Sequence, residues 1–161
     1  MAVLDGLASL VDKSLVQQIA GGAAEPRFAL LETIRDYGLE LLAAAGEGAR
    51  GRDRHAAYFL ALAECAAPGL RSAGQVAWLE RLGHEHHNLR AVLGWLFDQG
   101  ATADAAQLGW CLWWFWYIRG HYAEGQRWME RVLAEGRAAT PSATIKARIV
   151  AGVLAYPQGD Y

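Results

Sequence analysis

The chain has 161 residues, of which 53% are hydrophobic and 20% are charged, a balance typical of a globular protein rather than a disordered one. Its formal net charge of −2 and its pI of about 6.2 give no general indication of nucleic-acid binding. Its two cysteines, Cys65 and Cys111, belong to no CxxC or Cys/His spacing, which argues against a zinc motif and against a disulfide framework.

The N-terminal residues are predicted to form a short helix followed by a β-hairpin. They include Asp5 and no basic segment, so they do not resemble a signal peptide, and we expect a cytoplasmic protein. Residues 14–19 and 27–32 are predicted to be short strands, because the segment between them has the composition of a hairpin loop, with Gly21, Gly22 and Pro26. The helix is indicated by apolar residues at Leu4, Leu7, Leu10 and Val11.

A second helix is predicted after the hairpin. Thr33, with Asp36 three residues later, is a capping signature, so we expect the helix to begin there. Helical periodicity continues until Gly46, which is predicted to end the helix. The order helix, hairpin, helix is that of the second half of a winged helix. Residues 1–46 are therefore assigned to the C-terminal part of a winged-helix module.

The remaining residues, 50–161, are predicted to be helical throughout. Short connections favour antiparallel neighbours, hence a stacked α-helical array. Arg50, Arg52 and Arg54, at the start of this region, are interpreted as a solvated loop rather than as a phosphate contact. The predicted helices span 50–66, 73–83, 85–98, 103–118, 122–135 and 142–156, the last of them after Thr140-Pro141.

A run of histidines at residues 84–87 has the composition of a metal site but not its geometry. On a helix His84 and His87 share a face whereas His86 does not, and the HExxH spacing is absent. We therefore interpret this run as a polar helix start and expect no bound metal. The sequence also contains no recognisable catalytic triad motif, and we expect no enzymatic activity.

An internal repeat links the last two parts of the chain. The segment RGHY around Gly120 recurs as QGDY around Gly159, and the two glycines are 39 residues apart. A Gly-x-Tyr turn between helices resembles the tetratricopeptide repeat, whose usual period is about 34 residues. This resemblance implies small packing residues at Gly125 and Gly152, and it places Trp113 at the equivalent small position of the earlier copy.

Four of the seven tryptophans lie within residues 110–116. A membrane span is excluded because the apolar run from Trp110 to Ile118 is shorter than the about 20 residues that a bilayer requires. Base stacking is disfavoured because the flanking residues are not basic. Two interpretations stay open. Either the aromatic residues are all core, or the repeat alignment holds. In that alignment Leu112, Trp113 and Trp116 pack within the helical hairpin, and a concave recognition groove is lined by Trp110, Trp114 and Tyr117.

Five segments, in order, resemble part of the large multidomain bacterial regulators of the STAND class. They are LASLVDKSLV, RFALLETIRDYGLELL, RHAAYFLALAE, WLERLGHEHHNLRAVLGWL and RGHYAEGQRWMERVL. Those proteins join a P-loop NTPase module of the NB-ARC type to a winged helix and then to tetratricopeptide-like repeats. The resemblance implies that this chain begins inside the winged helix and stops inside a repeat. It also implies two partners, an NTPase domain upstream and a protein or small-molecule inducer at the repeats.

The chain departs from that family at the positions that would contact a nucleotide, where Leu30-Leu31-Glu32 match the Met-His-Asp whose histidine senses the nucleotide in related NTPases. No GxxxxGK[ST] motif is present, so no cofactor is expected here, and ATP is implied only for the upstream domain. In the winged-helix part, residues 4–32 contain only two basic residues, Lys13 and Arg27, against four acidic ones. A DNA-reading winged helix usually carries several basic residues. We therefore expect an intramolecular lever with no direct DNA contact.

The sequence thus predicts a mainly α protein, with a partial winged helix followed by an antiparallel, tetratricopeptide-like repeat array. The function expected is that of a non-catalytic sensor segment in an ATP-dependent transcriptional regulator, recognising a ligand or protein and relaying the signal between domains. The alternative is a free-standing helical-repeat adaptor for protein–protein interaction. Neither interpretation involves a membrane.

Overall fold

The computed structural model describes residues 2–19, 27–135 and 140–159, and the chain divides into two compact units, Met1–Gly51 and Arg52–Tyr161. The predicted domains, 1–46 and 50–161, stay predictions, but a mainly helical fold with one small sheet is observed. The elements are α1 (Ala2–Asp12), β1 (Val16–Ile19), β2 (Arg27–Leu30), α2 (Glu32–Ala44), α3 (Gly48–Gly69), α4 (Gln75–His84), α5 (His86–Asp98), α6 (Thr102–Arg119), α7 (Tyr122–Ala134), α8 (Pro141–Ala155) and a 3₁₀ turn (Tyr156–Gln158).

The N-terminal unit contains the predicted hairpin. Strand β1 pairs with β2 in antiparallel register, from Val16 opposite Leu30 to Ile19 opposite Arg27. Ser14 has a φ of 57°, a left-handed conformation that turns the chain between α1 and β1. The hairpin is thus confirmed, whereas the predicted loop glycines and proline, at 21, 22 and 26, lie outside the described residues.

The N-cap of helix α2 lies two residues before the one that its capping signature predicts. Leu31 is the N-cap, with extended backbone angles (φ −60°, ψ 144°), and no side chain caps the helix. Thr33 therefore lies inside the first turn, and the prediction that it begins the helix is wrong. The reason is that β2 ends at Leu30, so a single extended residue is enough to pass from strand to helix. The helix ends at Ala44, close to Gly46 as predicted.

Helix α6 is central to the second unit, where it packs against α5, α7 and α8. Its buried face includes Leu112, Phe115 and Trp116, each at most 1% exposed. The predicted packing of Leu112 and Trp116 between helices is confirmed. Despite this apolar character, no helix within residues 2–19, 27–135 and 140–159 combines the length and hydropathy that crossing a bilayer requires.

Two glycines let the neighbouring helices approach α6 closely. A Cβ on Gly125 of α7 would lie 2.5 Å from Cε3 of Trp116 and 2.5 Å from Cδ1 of Leu154. A Cβ on Gly109 of α6 would collide with the side chain of Met129. The tryptophan that fills this core is therefore accommodated by residues without side chains.

The glycines at the equivalent positions of the two sequence copies have the same backbone conformation. Gly120 follows α6 with a φ of 74°, and Gly159 follows the 3₁₀ turn after α8 with a φ of 71°. Both are left-handed, a conformation that glycine adopts without steric cost. Helix α8 begins as predicted, because the Thr140 hydroxyl accepts a hydrogen bond from the Ala143 amide (3.2 Å) and Pro141 occupies the first turn. Asp160 and Tyr161 lie outside the described residues.

Both cysteines are free thiols. Cys65 is exposed, whereas Cys111 is buried in α6. Burial raises the pKa of the Cys111 thiol to about 11. It is therefore protonated at neutral pH, the unreactive form of the group.

Candidate functional site

Three aromatic side chains lie together on the partly exposed side of α6. The rings of Trp114 and Tyr117 stack at 5.6 Å with 7° between their planes. Trp113 meets the Trp114 ring edge-on, at 4.8 Å and 78°. Residues three apart on a helix are neighbours, so the stacked pair follows directly from the spacing in the sequence. The result is a continuous aromatic surface along one side of the helix.

Helix α8 completes a groove opposite these rings. The cavity has a volume of about 470 Å³, within the range of small-molecule clefts. Apart from its own helix backbone and chain neighbours, no heavy atom of the described residues lies within 4 Å of a Cβ built on Gly152, so the α8 wall is open at that position. We call this cavity the aromatic groove; its lining residues are Trp113, Trp114, Tyr117, Gly152, Val153 and Tyr156.

A second, smaller pocket adjoins the aromatic groove. It has a volume of about 190 Å³ and shares Trp113 and Trp114 with the groove, while Trp110 and Arg71 belong to this pocket alone. The Arg71 guanidinium lies 4.9 Å from the centre of the Trp113 ring and 5.9 Å from that of Trp114. Cation–π attraction holds it there, so the aromatic surface has one positively charged edge. We call this cavity the Arg71 pocket.

The three predicted recognition residues are distributed over these two cavities. Tyr117 lines the aromatic groove, Trp110 lines the Arg71 pocket and is 37% exposed, and Trp114 lines both. The structure therefore brings them to adjacent cavities rather than to a single one. Their role in recognition stays a prediction.

Trp113 does not pack inside the helical hairpin as predicted. It is partly exposed and lines both the aromatic groove and the Arg71 pocket. Successive helical residues are about 100° apart, which places Trp113 at the edge of the buried arc centred near Leu112. A bulky residue at that position can reach solvent. The position to which the tetratricopeptide-repeat resemblance assigns a small residue is therefore not buried in this chain.

The indole nitrogen of Trp114 has an unusual environment. Its Nε1 is buried and has no hydrogen-bond partner among the described residues. An unpaired buried donor costs about 1–3 kcal/mol, and native proteins rarely retain one without a reason. This unpaired nitrogen belongs to Trp114, the side chain of which lines both the aromatic groove and the Arg71 pocket.

A second cluster joins α5 to the beginning of α7. His86 is the first residue of α5, His121 is the N-cap of α7, and Glu124 lies in the first turn of α7. Nε2 of His86 is 2.8 Å from Oε1 of Glu124, and the two imidazole rings lie 4.4 Å apart. Arg90 donates from both Nε (2.9 Å) and a terminal nitrogen to the other carboxylate oxygen, Oε2. We call His86, His121 and Glu124 the histidine cluster.

The environment of the histidine cluster favours the ionised form of Glu124 and the neutral form of His121. Burial raises the pKa of Glu124, but hydrogen bonds from Arg90 and His86 outweigh this effect, so its pKa lies below the usual value. Burial, followed by the proximity of His86, lowers the pKa of His121. The helix N-termini act in the same direction, because they favour negative charge over positive charge.

Sequence reasoning did not find the histidine cluster. It placed residues 84–87 on one helix, whereas α4 ends at His84 and α5 begins at His86, and the face that carries His86 contacts Glu124 of α7, 38 residues later in the chain. A signal was available in two short spacings. His86 and Arg90 are four residues apart, and His121 and Glu124 are three apart, so each pair lies on one helix face. Nothing in one sequence shows that these two faces meet.

The arginine-rich segment is helical, so its interpretation as a loop is wrong, although Arg50, Arg52 and Arg54 are all exposed. The segment belongs to α3, and the Arg52 guanidinium lies 5.0 Å from the centre of the Trp95 ring. The indole nitrogen of Trp95 donates to Oδ1 of Asp53 at 3.0 Å. Cation–π contact and hydrogen bond together hold α3 to α5, an interaction that local composition does not predict.

Comparison with known proteins identifies relatives of both parts of the chain. Residues 1–43 match the winged helix-turn-helix domain family, which confirms the N-terminal winged-helix prediction. The chain is 38% identical, over 137 residues or 84% of its length, to two mycobacterial proteins. They are “Putative HTH-type transcriptional regulator Rv0890c” of Mycobacterium tuberculosis and “Putative HTH-type transcriptional regulator Mb0914c” of Mycobacterium bovis. The alignment covers 15% of each relative, so the chain spans a small part of their length. No solved structure gives a significant match.

Proposed function

We propose that this chain is a non-catalytic regulatory segment of a multidomain, ATP-dependent transcriptional regulator of the STAND class. In this proposal its helical unit, a tetratricopeptide-like array, recognises an inducer in the cytoplasm. Its winged helix relays that event to an NTPase domain upstream, where ATP is bound.

The observation that carries the proposal is the extent of the similarity to the mycobacterial regulators. The aligned 137 residues are more than three times as many as the 43 that match the winged helix, so the alignment must include much of the helical unit. A winged helix and the following helices therefore occur together in proteins named as transcriptional regulators. Because those relatives are several times longer than this chain, they have room for further domains.

The aromatic groove is the recognition surface we propose for the helical unit. Its volume of about 470 Å³ suits a small molecule or a few side chains of a partner, and its walls are mostly apolar. Stacked rings such as Trp114 and Tyr117 offer a large, rigid contact area that loses little conformational entropy on binding. Arg71 adds one positive edge, which favours an inducer that carries an acidic or carbonyl oxygen beside its apolar part.

The test is a chromosomal Trp114→Ala substitution followed by transcript profiling. We expect the variant to change the same transcripts as deletion of the gene, because the wall shared by both cavities is lost. Its matched control is Ile145→Ala in α8, which removes an exposed apolar side chain (59% exposed) that lines neither cavity, and which should leave transcripts unchanged. Purified chains carrying each substitution should unfold near the wild-type temperature.

Two outcomes would contradict this part of the proposal. Deletion of the gene could leave every transcript unchanged under conditions in which the protein is made, which would remove the transcriptional role. Alternatively, deletion could change transcripts while Trp114→Ala matches the wild type, which would remove the aromatic groove from recognition.

The winged helix is proposed to act as a lever rather than as a reader of DNA. Phosphate neutralisation by lysine and arginine supplies most non-specific DNA affinity, and residues 4–32 carry only Lys13 and Arg27 among six charged residues. We expect the purified chain to give no salt-sensitive gel shift with duplex DNA at micromolar concentration. A shift that is present in the wild type and lost on replacing Lys13 and Arg27 with alanine would show a direct DNA contact instead.

The alternative function is a free-standing helical adaptor that binds other proteins through the same groove. The two proposals differ in what the reading frame encodes upstream of this segment. The regulator requires a P-loop motif, GxxxxGK[ST], in the same frame, because its relay acts on a nucleotide-binding domain. An adaptor requires none, so reading the upstream codons discriminates between them.

A further inference from the structure

We propose that His86, His121 and Glu124 form a binding site for a divalent transition-metal ion of the Zn²⁺ type. One ligand atom from each residue lies within 4.8 Å of the ligand atoms of the other two. All three side chains are partly buried, so the ligand set belongs to the folded helical unit rather than to a mobile surface. Neither the sequence motifs nor the relatives indicate a metal at this position.

The ligand set is one that zinc and its neighbours prefer. Imidazole nitrogen suits Zn²⁺, Co²⁺, Ni²⁺ and Cu²⁺, and two imidazoles with one carboxylate leave a fourth coordination position open. Ligand atoms at about 2.1 Å from a tetrahedral ion lie about 3.4 Å apart, so the present separations of up to 4.8 Å must contract by less than about 1.5 Å. Side-chain rotation supplies a movement of this size.

The residues around the site prepare Glu124 as a ligand. Arg90 binds Oε2 and leaves Oε1 directed at His86, 2.8 Å away, so an ion would replace one hydrogen bond and leave the Arg90 contacts in place. An outer partner that orients a coordinating carboxylate is a regular feature of metal sites.

The fourth position has access to solvent. His86 and His121 also line a pocket of about 280 Å³, whose walls include Glu80 and His84. A water molecule or a ligand from this pocket can complete the coordination. The opposing effect is the positive charge of Arg90 and of the helix N-termini, which repels a cation. For the ion to bind, the free energy of coordination by the three ligands must exceed this repulsion. The measured dissociation constant reports the difference.

A bound ion would join α5 to the turn between α6 and α7 and to α7 itself. Because only the folded chain assembles these ligands, metal binding must raise thermal stability by mass action. At a free metal concentration 100 times the dissociation constant, we expect the melting temperature of a chain of this size to rise by about 5 °C or more.

The experiment is a titration of the purified chain, freed of any histidine tag, with Co²⁺ and then with Zn²⁺ as competitor. We expect one equivalent of Co²⁺ to give the visible absorption of a tetrahedral complex and Zn²⁺ to displace it. His121→Gln should weaken binding by at least about 10–100-fold, the range seen when even an outer-shell partner is lost. His87→Asn is the matched control, because His87 is exposed, lies on α5 and is not in the cluster, and it should bind as the wild type does.

Two results would overturn the proposal. Absence of a saturable Co²⁺ spectrum and of any melting-temperature shift with Zn²⁺ would show that the cluster is an ion pair alone. Equal binding by the wild type and by His121→Gln would assign the metal to other residues. His121→Gln must match the unfolding of the metal-free wild type, and if it does not, His86→Gln is compared in the same way.

Discussion

Replacing Trp116 with alanine should lower the free energy of unfolding by about 3–5 kcal/mol, a large part of the stability of a typical domain. The ring is 1% exposed and fills the space that Gly125 of α7 leaves against α6. Because neighbouring helices are already in contact at these glycines, the surrounding side chains can collapse only partly into the vacated volume. The cost therefore includes both the lost burial of the ring and a residual cavity.

Trp110→Ala is the matched control for this substitution. It removes the same side chain from the same helix, but Trp110 is 37% exposed and borders the Arg71 pocket, so no closed cavity results. We expect a loss of about 1 kcal/mol or less. Chemical denaturation followed by far-ultraviolet circular dichroism measures both. If the two variants lose equal stability, Trp110 is packed as firmly as Trp116, and the Arg71 pocket loses its structural basis.

Trp113 shows which property of α6 could be predicted from the sequence and which could not. Periodicity places Leu112, Phe115 and Trp116 within one arc, and that arc is buried. The same periodicity leaves residues at the edge of the arc undecided, because their burial depends on where the neighbouring helices lie. Trp113 is at that edge. The repeat resemblance predicted that it packs inside the helical hairpin, but the side chain is partly exposed. We accordingly expect Trp113→Ala to cost less than Trp116→Ala.

Most helices could be predicted because their signals are local. The Thr140-Pro141 start of α8 and the left-handed Gly120 after α6 depend on residues within one turn of the helix end. The histidine cluster could not be predicted for the opposite reason. Glu124 meets His86 and Arg90 only because α7 is packed beside α5, and their separations in sequence are 38 and 34 residues. Distances of this kind are set by tertiary packing.

Gly125 and Gly152 show the same limit in the repeat resemblance. The resemblance to tetratricopeptide repeats assigns a small packing residue to both, Gly125 in the second helix of one copy and Gly152 in the first helix of the next. In the structure Gly125 is buried against Trp116 and Leu154, whereas a Cβ built on Gly152, which is exposed, has no atom of the described residues within 4 Å apart from its own helix backbone and chain neighbours. The small residue therefore has a steric reason in α7 and none in α8.

Alanine substitutions at these two glycines should consequently change stability in opposite directions. Alanine in place of glycine inside a helix gains about 1 kcal/mol from backbone entropy alone. Gly152→Ala should realise most of that gain, raising the free energy of unfolding by about 0.5–1 kcal/mol. Gly125→Ala places a methyl group 2.5 Å from Cε3 of a buried ring that cannot move aside. Overpacking costs about 1–3 kcal/mol, so after the entropic gain the net result should be a loss of up to about 2 kcal/mol.

Both glycine variants are measured by the same denaturation series as the tryptophan variants, with the double variant added. The two sites are expected to act independently, so the double variant should lose less stability than Gly125→Ala alone, by the amount that Gly152→Ala gains. Combining Gly125→Ala with Trp116→Leu tests the cause of the expected loss of stability. The added methyl group would also lie 2.5 Å from Cδ1 of Leu154, so the smaller side chain at 116 should remove only the part of the cost that the indole ring causes. A stabilising Gly125→Ala in the wild-type background would contradict the close approach of α6 and α7 on which this account of the core depends.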